Sequence, residues 1–487
     1  MALFHMLVVA ILAEGTPLWD DNCDSCEAGS AFLQLELSKD RARVISSDLQ
    51  ASRYWFPTKS VDNNRSGQSS VSGPFPLHKP DTAHWELNVP GVVFHQVPMI
   101  DDKLNIYMGS DAGKIFSFDK YGAKRWEVNG TGTHCQDPSL FEGILYTACR
   151  DGSVLALDMM TGQLLWQRKI CKELPFEHYS ISVTKDHIFL PAGVDQHGNY
   201  VGPFHEPLDI GSPAVALLRR EDGRLVWKAN LSEWNAITGE LTPCMLSDSV
   251  IFSGGMGSIF RLSLQNGSLI WKVDVGLHRT TNAQVSCTQD GKVFAGYGGY
   301  SRNDANDRHV GGLYALDIKT GDTLWTRSFP YRVYTPVAVG GIQGHAGTAI
   351  IVAMGTPGMY PNKTTENHTL WALDANTGDM IWSFNTPSCT AVGARGGTLE
   401  EMCWPLAWSA PVISKDGIVY INWAFGGVTY ALRDINKDGL CDLHNPEEVS
   451  SFDFGIGHQG GPALAPGMLV VLTCHGPRAI LTAAIEQ

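Results

Sequence analysis

The stretch "GGLYALDIKTGDTLW", residues 311–325, contains the pattern Ala-x-Asp-x-x-Thr-Gly-x-x-x-Trp. The same spacing recurs in "ALDMMTGQLLW" (156–166) and in "ALDANTGDMIW" (372–382). The residues that share it are Ala156, Asp158, Thr161, Gly162 and Trp166, then Ala315, Asp317, Thr320, Gly321 and Trp325, then Ala372, Asp374, Thr377, Gly378 and Trp382. Three matches over eleven residues indicate an internal repeat, and a repeat decides the fold before any single motif does.

Weaker copies of the pattern end at three further tryptophans, in "FSFDKYGAKRW" (116–126), "LLRREDGRLVW" (217–227) and "RLSLQNGSLIW" (261–271). In all six copies a glycine lies four residues before the tryptophan. The alternating apolar run before the turn predicts a strand, the glycine permits a positive φ in the turn, and the tryptophan ends a second strand. Because most copies follow another predicted strand pair, each unit is predicted to contain four antiparallel strands.

The number of units follows from the aromatic residues that end them. They are Trp85, Trp126, Trp166, Trp227, Trp271, Trp325, Trp382 and, in place of a tryptophan, Phe452. The chain after Phe452 contains three predicted strands without a closing one, whereas the segment around Trp85 has a closing strand with nothing before it. The sequence therefore predicts an all-β, eight-bladed β-propeller whose N- and C-terminal segments complete one four-stranded antiparallel blade and close the ring. A solenoid is the alternative, but its repeats would be more even and would need capping ends.

The repeated motif resembles the tryptophan-docking motif of the quinoprotein alcohol dehydrogenase-like, or PQQ-repeat, eight-bladed propellers, which include BamB-like proteins. The resemblance runs from about Trp55 to the C-terminus, and "WFPTKSVDNNRSGQSSVSGP" (55–74) is similar to the first segment of those propellers. The resemblance implies that the tryptophan packs between neighbouring blades and that the Asp and Thr hold the turn. The motif is therefore interpreted as structural rather than as a cofactor site.

The PQQ-repeat propellers that this sequence resembles include both quinone-dependent dehydrogenases and binding propellers without a cofactor. The fold alone does not distinguish between these two functions. For a dehydrogenase, the resemblance implies two adjacent cysteines over the quinone, a calcium held by Glu, Asn and Asp, and an Asp base. The sequence contains no Cys-Cys pair, and the Glu, Asn and Asp set is not assigned to positions. The favoured interpretation is a non-catalytic binding or scaffold protein with no catalytic residues. The alternative is a PQQ- and calcium-dependent alcohol or sugar dehydrogenase.

Two other chemical readings of the sequence stay open. A glycan-active hydrolase would need two carboxylates facing each other across the channel mouth, which spacing alone does not reveal. His458 in "GIGHQGGP" is the histidine to inspect at the central channel, with a core or loop histidine as the more ordinary interpretation.

The segment "RDINKDGLCDLHNPEE" (433–448) has the spacing of a calcium loop. Oxygen-bearing side chains at its positions one, three, five and nine are those of Asp434, Asn436, Asp438 and Asp442, and a glycine stands at position six. At position twelve Asn445 replaces the usual bidentate glutamate, so Glu447 or Glu448 is expected to substitute for it. We expect a structural calcium site here. A solvated, Asx-rich turn is the alternative.

Extra chain is concentrated in four long loops, 193–212, 297–312, 355–368 and 386–404. The first three join the second and third strands of a unit and the fourth joins two units, so all four are predicted on one face. The candidate binding residues on that face are Tyr200, His205, Tyr300, Arg302, His309, Tyr360, Arg395 and Trp404. Their aromatic and arginine content suits a protein or glycan partner. Neutral tolerance of long surface loops is the alternative.

The N-terminal residues predict a secretory route. Residues 1–15, "MALFHMLVVAILAEG", have the apolar core of a signal peptide, although no Lys or Arg precedes it. Residues 16–50 are predicted to be a flexible leader and residues 51–487 the propeller. Six Asn-x-Ser/Thr sequons fit a secreted or lumenal glycoprotein: Asn64, Asn129, Asn230, Asn266, Asn362 and Asn367. A buried N-terminal strand is the alternative to the signal peptide.

Charge and cysteine content bound the remaining possibilities. A net charge of −14 without any basic run argues against a general binder of nucleic acid or anionic membranes. No later apolar segment is long enough for a transmembrane helix. Eleven cysteines is an odd number, so at least one is free or pairs between chains. Cys135 and Cys149 lie on predicted neighbouring strands, and Cys389 and Cys403 bracket one loop as a plausible disulfide.

Overall fold

The structure is a computed structural model that describes most of the compact unit Leu49–Gln487. The described residues are 53–78, 83–135, 137–174, 180–192, 214–234, 242–254, 257–275, 279–280, 284–299, 311–331, 333, 335–355, 364–365, 368–387, 389–390, 407–424, 426–458 and 460–482. Within these ranges the chain is almost entirely β-strand, with one 3-10 helix at Leu231–Trp234. No helix in these ranges is long and apolar enough to cross a membrane.

Four-stranded antiparallel sheets follow one another along the chain, each running from an inner to an outer strand. After β1 (Ala83–Glu86), blade 1 contains β2–β5, at Met99–Ile100, Ile106–Met108, Lys114–Phe118 and Lys124–Asn129. Blade 2 contains β6–β9, at Ser139–Phe141, Ile144–Cys149, Ser153–Asp158 and Leu164–Lys169. Blade 3 contains β10–β13, at Ser182–Val183, His187–Pro191, Ala214–Arg219 and Leu225–Asn230. Blade 4 contains β14–β17, at Cys244–Met245, Ser249–Gly254, Ser258–Ser263 and Leu269–Asp274.

The second half of the chain repeats this order with two additions. Blade 5 has five strands, β18–β22, at Arg279–Thr280, Val285–Cys287, Lys292–Gly299, Gly311–Asp317 and Thr323–Phe329, because β18 and β19 both pair with β20. Blade 6 contains β23, β24, β26 and β27, at Ala338–Gly341, Thr348–Met354, Thr369–Asp374 and Met380–Asn385. A separate two-stranded sheet pairs β25 (Thr364–Thr365) with β28 (Cys389–Thr390). Blade 7 contains β29–β32, at Val412–Ile413, Val419–Trp423, Val428–Leu432 and Val449–Asp453.

Blade 8 joins the two ends of the described chain. Its inner strands are β33–β35, at Ala463–Ala465, Met468–Thr473 and Gly476–Leu481, and β1 pairs antiparallel with β35 as the outer strand. Trp85 lies opposite Ala479 in this pairing. The predicted eight-bladed ring, closed by its N- and C-terminal segments, is therefore confirmed. The fifth strand of blade 5 is a departure from the predicted four, because β18 and β19 pair with successive parts of the long strand β20.

A β-bulge explains why the repeat begins with alanine. In blades 1–6 the pairing of the third and fourth strands shifts register just before the tryptophan, as between Ala315 and Leu316. In blade 5 the shift places Ala315 directly opposite Trp325. The small side chain of Ala315 leaves that face of the sheet to the indole ring, and the bulge increases the local twist. Alanine and tryptophan at this spacing are therefore cross-strand partners.

The turn of each motif locks against the tryptophan of the preceding blade. In blade 5, Asp317 Oδ1 accepts the backbone N–H groups of Lys319 (2.8 Å) and Thr320 (2.9 Å). Gly321 has a φ of 78°, and a Cβ there would lie 3.0 Å from Cδ2 of Trp271 in blade 4. The Trp271 indole N–H in turn donates to the carbonyl of Ile318, at 3.1 Å. A glycine is thus required both by the left-handed turn and by the ring that packs on it.

Candidate functional site

Residues 56–71, here called the strap, pass around the propeller axis and contact the inner strands of successive blades. The backbone bonds are Phe56 N to Ile100 O (3.0 Å), Ile100 N to Phe56 O (2.9 Å), Leu140 N to Pro57 O (2.7 Å), Met245 N to Asn63 O (2.8 Å), Cys287 N to Asn64 O (2.8 Å), Val339 N to Ser66 O (2.6 Å), Ile413 N to Gly67 O (2.8 Å) and Ser69 N to Ile413 O (2.7 Å). Blade 3 is reached by a side chain, since Asn63 Nδ2 donates to Val183 O at 2.8 Å. The strap therefore bonds to blades 1 to 7, in chain order.

Arg65 is the anchor of the strap. Its side chain is fully buried, and its guanidinium donates to five acceptors: Pro243 O (2.9 Å), Thr58 Oγ1 (2.8 Å), Lys59 O (2.7 Å), Ile181 O (3.4 Å) and Ser182 Oγ (2.5 Å). Burial lowers the pKa of Arg65 to about 10, although the carboxylates of Asp62 and Asp137 oppose the shift. The guanidinium therefore remains charged at neutral pH and joins the strap to blades 3 and 4.

The strap is held in an unusual backbone conformation. Ser60, Val61 and Arg65 have φ values of 55°, 74° and 60°, in the left-handed region that residues other than glycine rarely adopt. Gly67 has a φ of 68°, and a Cβ there would lie 2.7 Å from Ala338 Cβ. Each such non-glycine residue costs on the order of 1–3 kcal/mol, so the conformation persists only because the surrounding contacts hold it.

Two more polar contacts link the strap to the inner strands. Lys59 Nζ lies 3.2 Å from Asp137 Oδ2, and both side chains are buried. Asp137 Oδ1 also accepts the backbone N–H of Val97, at 2.6 Å. On the other side of the ring, Gln284 Nε2 donates to Ser60 Oγ at 2.9 Å. Lys59 and Ser60 of the strap are therefore each bonded to a polar side chain of the ring.

The buried axial carboxylate of Asp137 does not offer a free ligand for the calcium of the quinone centre that the sequence resemblance implies. The axial carboxylate of Asp137 is paired with Lys59 and a backbone amide. Across the described residues, no group of three or more His, Cys, Asp and Glu side chains is placed to hold a metal ion. We therefore derive no reaction step through a quinone.

His458 lies immediately before the inner strand of blade 8 and is completely buried. Its Nδ1 is 2.9 Å from the carbonyl of Ile456, and its ring makes an edge contact with Phe454. Burial lowers the pKa of His458 to about 4, so the imidazole is neutral at pH 7. These contacts match the more ordinary interpretation of a core histidine.

The eight predicted binding residues, Tyr200, His205, Tyr300, Arg302, His309, Tyr360, Arg395 and Trp404, all lie outside the described residues. The face on which they were predicted carries the connections between second and third strands and those between blades; we call it the loop-rich face. Its described part includes the connection from blade 8 to blade 1 (87–98) and the turn between β3 and β4 (109–113). Whether the eight residues meet there stays a prediction.

A histidine–aspartate pair lies on the described part of the loop-rich face. His95 Nδ1 is 2.7 Å from Asp111 Oδ2, and Gln96 Nε2 donates to Asp111 Oδ1 at 3.2 Å. Burial alone would raise the pKa of Asp111, but the imidazoles of His95 and His134 outweigh it and hold that pKa below its ordinary range. Sequence reasoning missed this pair because its members come from a connection between blades and from a turn within blade 1.

The predicted calcium loop coils around two buried carboxylates. Asp434 Oδ1 and Oδ2 accept the N–H groups of Lys437 (2.7 Å) and Gly439 (3.1 Å). Glu448 Oε1 and Oε2 accept those of Asn436 (3.4 Å) and Asp442 (3.1 Å). Asp434 is 3% exposed and Glu448 is 0% exposed. The loop is thus folded so that both carboxylates point inward.

The structure distinguishes Glu447 from Glu448, the two glutamates near position twelve of the loop. Glu448 is the buried glutamate, whereas Glu447 is exposed and directs only its backbone carbonyl to Arg433 Nε, at 2.7 Å. Glu448 is therefore the residue that would replace the bidentate glutamate of a calcium loop. The choice depends on how the chain returns to β32, which residue spacing does not reveal.

The same loop covers the outer edge of blade 6. Ser383 in β27 donates its N–H to Gly439 O (3.0 Å) and accepts the N–H of Cys441 (2.9 Å), forming a short parallel bridge. In the other blades the equivalent tryptophan packs against the short turn of the following blade. Trp382 packs in blade 6 with only 1% of its surface exposed. The Cys441 thiol is free and buried, and burial together with the nearby carboxylates of Asp434 and Glu448 raises its pKa. The loop therefore performs the blade-locking role of a shorter turn.

Two disulfides are present among the described cysteines. Cys135 pairs with Cys149 at the end of β7, and Cys135 lies in an isolated antiparallel bridge rather than on a predicted neighbouring strand; Cys244 pairs with Cys287. The second bond joins the inner strands of blades 4 and 5, next to the carbonyls of the strap. Cys474 is also disulfide-bonded, and Cys171 is free. The predicted Cys389–Cys403 bond falls outside the described side chains.

Eight blades closed by the two chain ends define an eight-bladed propeller. A family model described as "Outer membrane protein assembly factor BamB" matches residues 79–191, 180–332 and 255–402. Together the matches span 79–402, well over half of the chain. The chain therefore belongs to this family of PQQ-repeat propellers.

Curated relatives of the chain carry several different names. It is 24% identical to tetrathionate hydrolase of Acidithiobacillus ferrooxidans over 377 residues, which cover 74% of this chain and 68% of that protein. It is 26% identical to BamB of Burkholderia pseudomallei over 264 residues, covering 52% and 56%. It is 24% identical to polyvinylalcohol dehydrogenase of Sphingopyxis over 324 residues, covering 57% and 47%. The chain thus spans about half the length of the last two.

Solved structures share the fold at low sequence identity. BamB from Moraxella catarrhalis aligns with a TM-score of 0.52 and 16% identity, covering 82% of this chain and 97% of that one. Quinohemoprotein alcohol dehydrogenase from Comamonas testosteroni aligns with a TM-score of 0.58 and 13% identity, covering 91% and 82%. A europium-containing methanol dehydrogenase aligns with a TM-score of 0.59 and 14% identity, covering 88% and 91%. The chain is thus similar both to an assembly factor and to dehydrogenases.

Proposed function

We propose that this chain is a secreted or lumenal PQQ-repeat propeller that acts as a non-catalytic binding scaffold. The proposal rests on the hydrogen bonds and the ion pair made by the charged side chains around the propeller axis. Arg65, Lys59 and Asp137, the buried charged groups around it, are bonded to the strap and the inner strands. Charged groups used in this way hold the ring together and leave recognition to the surface.

The partner would be a protein or a glycan bound on the loop-rich face. Loops held by a rigid scaffold are the usual location of binding residues in folds of this kind. Membership of a family described as an assembly factor supports a protein partner more than a glycan. The predicted contact residues are those of the four long loops, with Arg302 and Tyr360 as the ones to test first.

A secreted or lumenal location is supported by the cysteines. Disulfides form and persist in oxidising compartments, and Cys135–Cys149 and Cys244–Cys287 are both bonded. The predicted signal peptide at residues 1–15 and the sequons fit the same route, as does a name that refers to the outer membrane. Recovery of the protein outside the reducing cytosol, with residues 1–15 removed, is the expected result.

Calcium is proposed as a structural ligand of the 434–448 loop. Asp434 and Glu448 are buried and, within the described residues, accept only backbone N–H groups. Buried carboxylates are costly without a compensating cation, and hard oxygen ligands suit calcium. The ion would therefore stabilise the loop on the edge of blade 6 without taking part in chemistry.

A PQQ- and calcium-dependent alcohol or sugar dehydrogenase is the second candidate. It is favoured by relatives and solved structures named as dehydrogenases. The two candidates differ in an observable way, because a dehydrogenase must retain the quinone and transfer electrons to an acceptor, whereas a scaffold needs neither.

The test combines cross-linking with cofactor retention. A photo-cross-linking residue at Arg302 or Tyr360 is expected to give adducts of discrete mass in the native compartment. The matched positions Lys319 and Asn376, exposed on the opposite face, are expected to give none. Adducts from the opposite face alone would contradict the proposed surface. PQQ retained after desalting with calcium, together with dye-linked oxidation of ethanol or glucose, would overturn the non-catalytic assignment.

A further inference from the structure

We propose that the edges of the inner strands form a binding groove for a peptide segment with several turns, and that residues 56–71 of this chain occupy it as a separable internal ligand. The ring would then be closed twice, once by the β1–β35 pairing of blade 8 and once by the strap at the axis. This inference does not depend on the proposed function.

The groove is defined by backbone groups that would otherwise be unpaired. In a blade the innermost strand has one edge facing the axis, and an open edge presents N–H and C=O groups that need partners. Six inner strands, those of blades 1, 2, 4, 5, 6 and 7, each donate an N–H to a strap carbonyl. A single segment therefore satisfies edges that come from six separate repeats.

The chemistry of the ligand follows from its contacts. The groove accepts a backbone that turns through residues 58–64, with internal bonds such as Val61 N to Thr58 O (3.1 Å), and that is left-handed at Ser60, Val61 and Arg65. It has a specific subsite for one arginine, formed by the carbonyls of Ile181 and Pro243 and by the Ser182 hydroxyl. A guanidinium fits this subsite because it offers several N–H donors in a planar fork. Lysine would present three donors from one point and could not reach the same set.

The strap is also positioned to be separable. It is joined to β1 through residues 79–82, so cutting the chain there would leave the strap attached by the contacts described above together with those of residues 72–78, such as Tyr420 Oη to Pro74 O (2.9 Å) and Leu77 N to Ser450 Oγ (2.8 Å). A ligand bound by many backbone bonds and one buried arginine should remain in place after the cut. A segment that merely follows the surface should leave.

The experiment uses the full chain with a site-specific protease sequence in place of residues 79–82. After cleavage of the wild-type strap, we expect the fragment that ends at residue 78 to co-elute with the ring in size-exclusion chromatography. In the Arg65→Ala variant we expect release at least about a hundredfold faster, because several charge-assisted hydrogen bonds are lost. The control is Arg53→Ala, whose side chain is 67% exposed and which should retain the fragment like wild type.

Hydrogen exchange provides a second readout that does not require a variant to fold. The amide protons of Leu140, Met245, Cys287, Val339 and Ile413, which donate to the strap, should be protected in the uncut protein. After cleavage and addition of excess synthetic peptide 53–78 carrying Arg65→Ala, they should remain protected. Loss of the wild-type fragment on cleavage, equal retention by Arg65→Ala, or unprotected inner-strand amides in the uncut protein would each overturn the proposal.

Discussion

At the scale of single residues, the Asp of the repeat motif controls its turn through charge. The pKa of Asp317 is held below its ordinary value by the N–H groups of Thr320 and Lys319. For Asp158 the main cause is the hydroxyl of Thr161. For Asp374 burial raises the pKa, but N–H groups of the turn outweigh it. The ionised form of each is therefore bound more tightly in the folded state.

This arrangement predicts an acid-sensitive ring. A carboxylate whose folded pKa is lowered contributes stability above its ordinary pKa, and the contribution is lost as the pH falls through the lowered value. Replacing Asp158, Asp317 and Asp374 together by Asn removes the titrating groups but keeps one acceptor oxygen. The melting temperature of the triple variant should fall less than that of wild type below about pH 4. Parallel plots of melting temperature against pH for wild type and the triple variant would contradict this role. An equally reduced pH dependence in the exposed control Asp379→Asn would also contradict it.

Glycine substitutions can separate backbone strain from steric contact. At Gly378 φ is 75°, and a Cβ would lie 3.0 Å from Trp325 Cε3. At Gly455 φ is 70° with nothing within 4 Å, and at Gly341 a Cβ would also meet nothing within 4 Å. We expect Gly378→Ala to cost about 2–3 kcal/mol, Gly455→Ala about 1 kcal/mol, and Gly341→Ala less than about 0.5 kcal/mol. Urea unfolding measures all three, and equal losses at Gly378 and Gly455 would show that Trp325 is not a steric constraint.

At the scale of elements, the 434–448 loop replaces a short turn by a longer segment that is bonded to the preceding blade, blade 6. Of the four ligands that residue spacing predicts, only Asp434 is buried, whereas Asn436, Asp438 and Asp442 are exposed, and spacing left Glu447 and Glu448 as equal candidates. The structure buries Glu448 because the chain must return to β32 at Val449. The loop allows a matched comparison, because Glu447 and Glu448 are adjacent glutamates of which only Glu448 is buried.

Calcium is therefore expected to raise the melting temperature of the wild-type protein. An ion at about 100 times its Kd would add about 2.7 kcal/mol to the free energy of unfolding. Asp434→Asn and Glu448→Gln should abolish the increase, and Glu447→Gln should preserve it. The rate of thiol labelling at buried Cys441 should fall on calcium addition, which reports on the loop itself. An unchanged melt and unchanged labelling would favour the Asx-rich turn instead.

At the scale of the whole molecule, the blades are joined by three kinds of link: packed tryptophans, the strap, and a disulfide between blades. Cys244 and Cys287 are 43 residues apart in sequence, and Cys135 and Cys149 are 14 apart. Because a disulfide restricts the unfolded chain more when its loop is longer, the first bond should contribute more to stability.

Removing each disulfide by paired alanine substitution tests that order. The chain-entropy relation gives a loss of about 4 kcal/mol for Cys244–Cys287 and about 3 kcal/mol for Cys135–Cys149. Chemical denaturation of the two variants provides the comparison, with Cys171→Ala as the free-thiol control. Burial raises the pKa of Cys171 to about 11, so this thiol should not exchange with the bonds. A greater loss at the shorter loop would mean that native packing, rather than loop length, governs these bonds.

The sequence predicted the ring well because its signals are local. Glycine four residues before tryptophan indicates a hairpin in six of the repeats, and the eight aromatic residues that end the units count the blades. The pairing of β1 with β35 was also accessible, since a closing strand at one end complements a blade without one at the other. The histidine–aspartate pair on the loop-rich face could not be predicted in this way. Asp111 and His95 come from separate connections, and no spacing relates them.

The strap shows why local patterns stop at the level of the blade. Its sequence, from Phe56 to Val71, has no periodicity, and its conformation depends on bonds to strands up to several hundred residues away. Hairpins, turns and the motif tryptophans are specified by residues close in the chain, so their chemistry is visible in the letters themselves. The path of the strap and the burial of Arg65 arise only when distant edges need hydrogen-bond partners. That need exists only once the ring has closed.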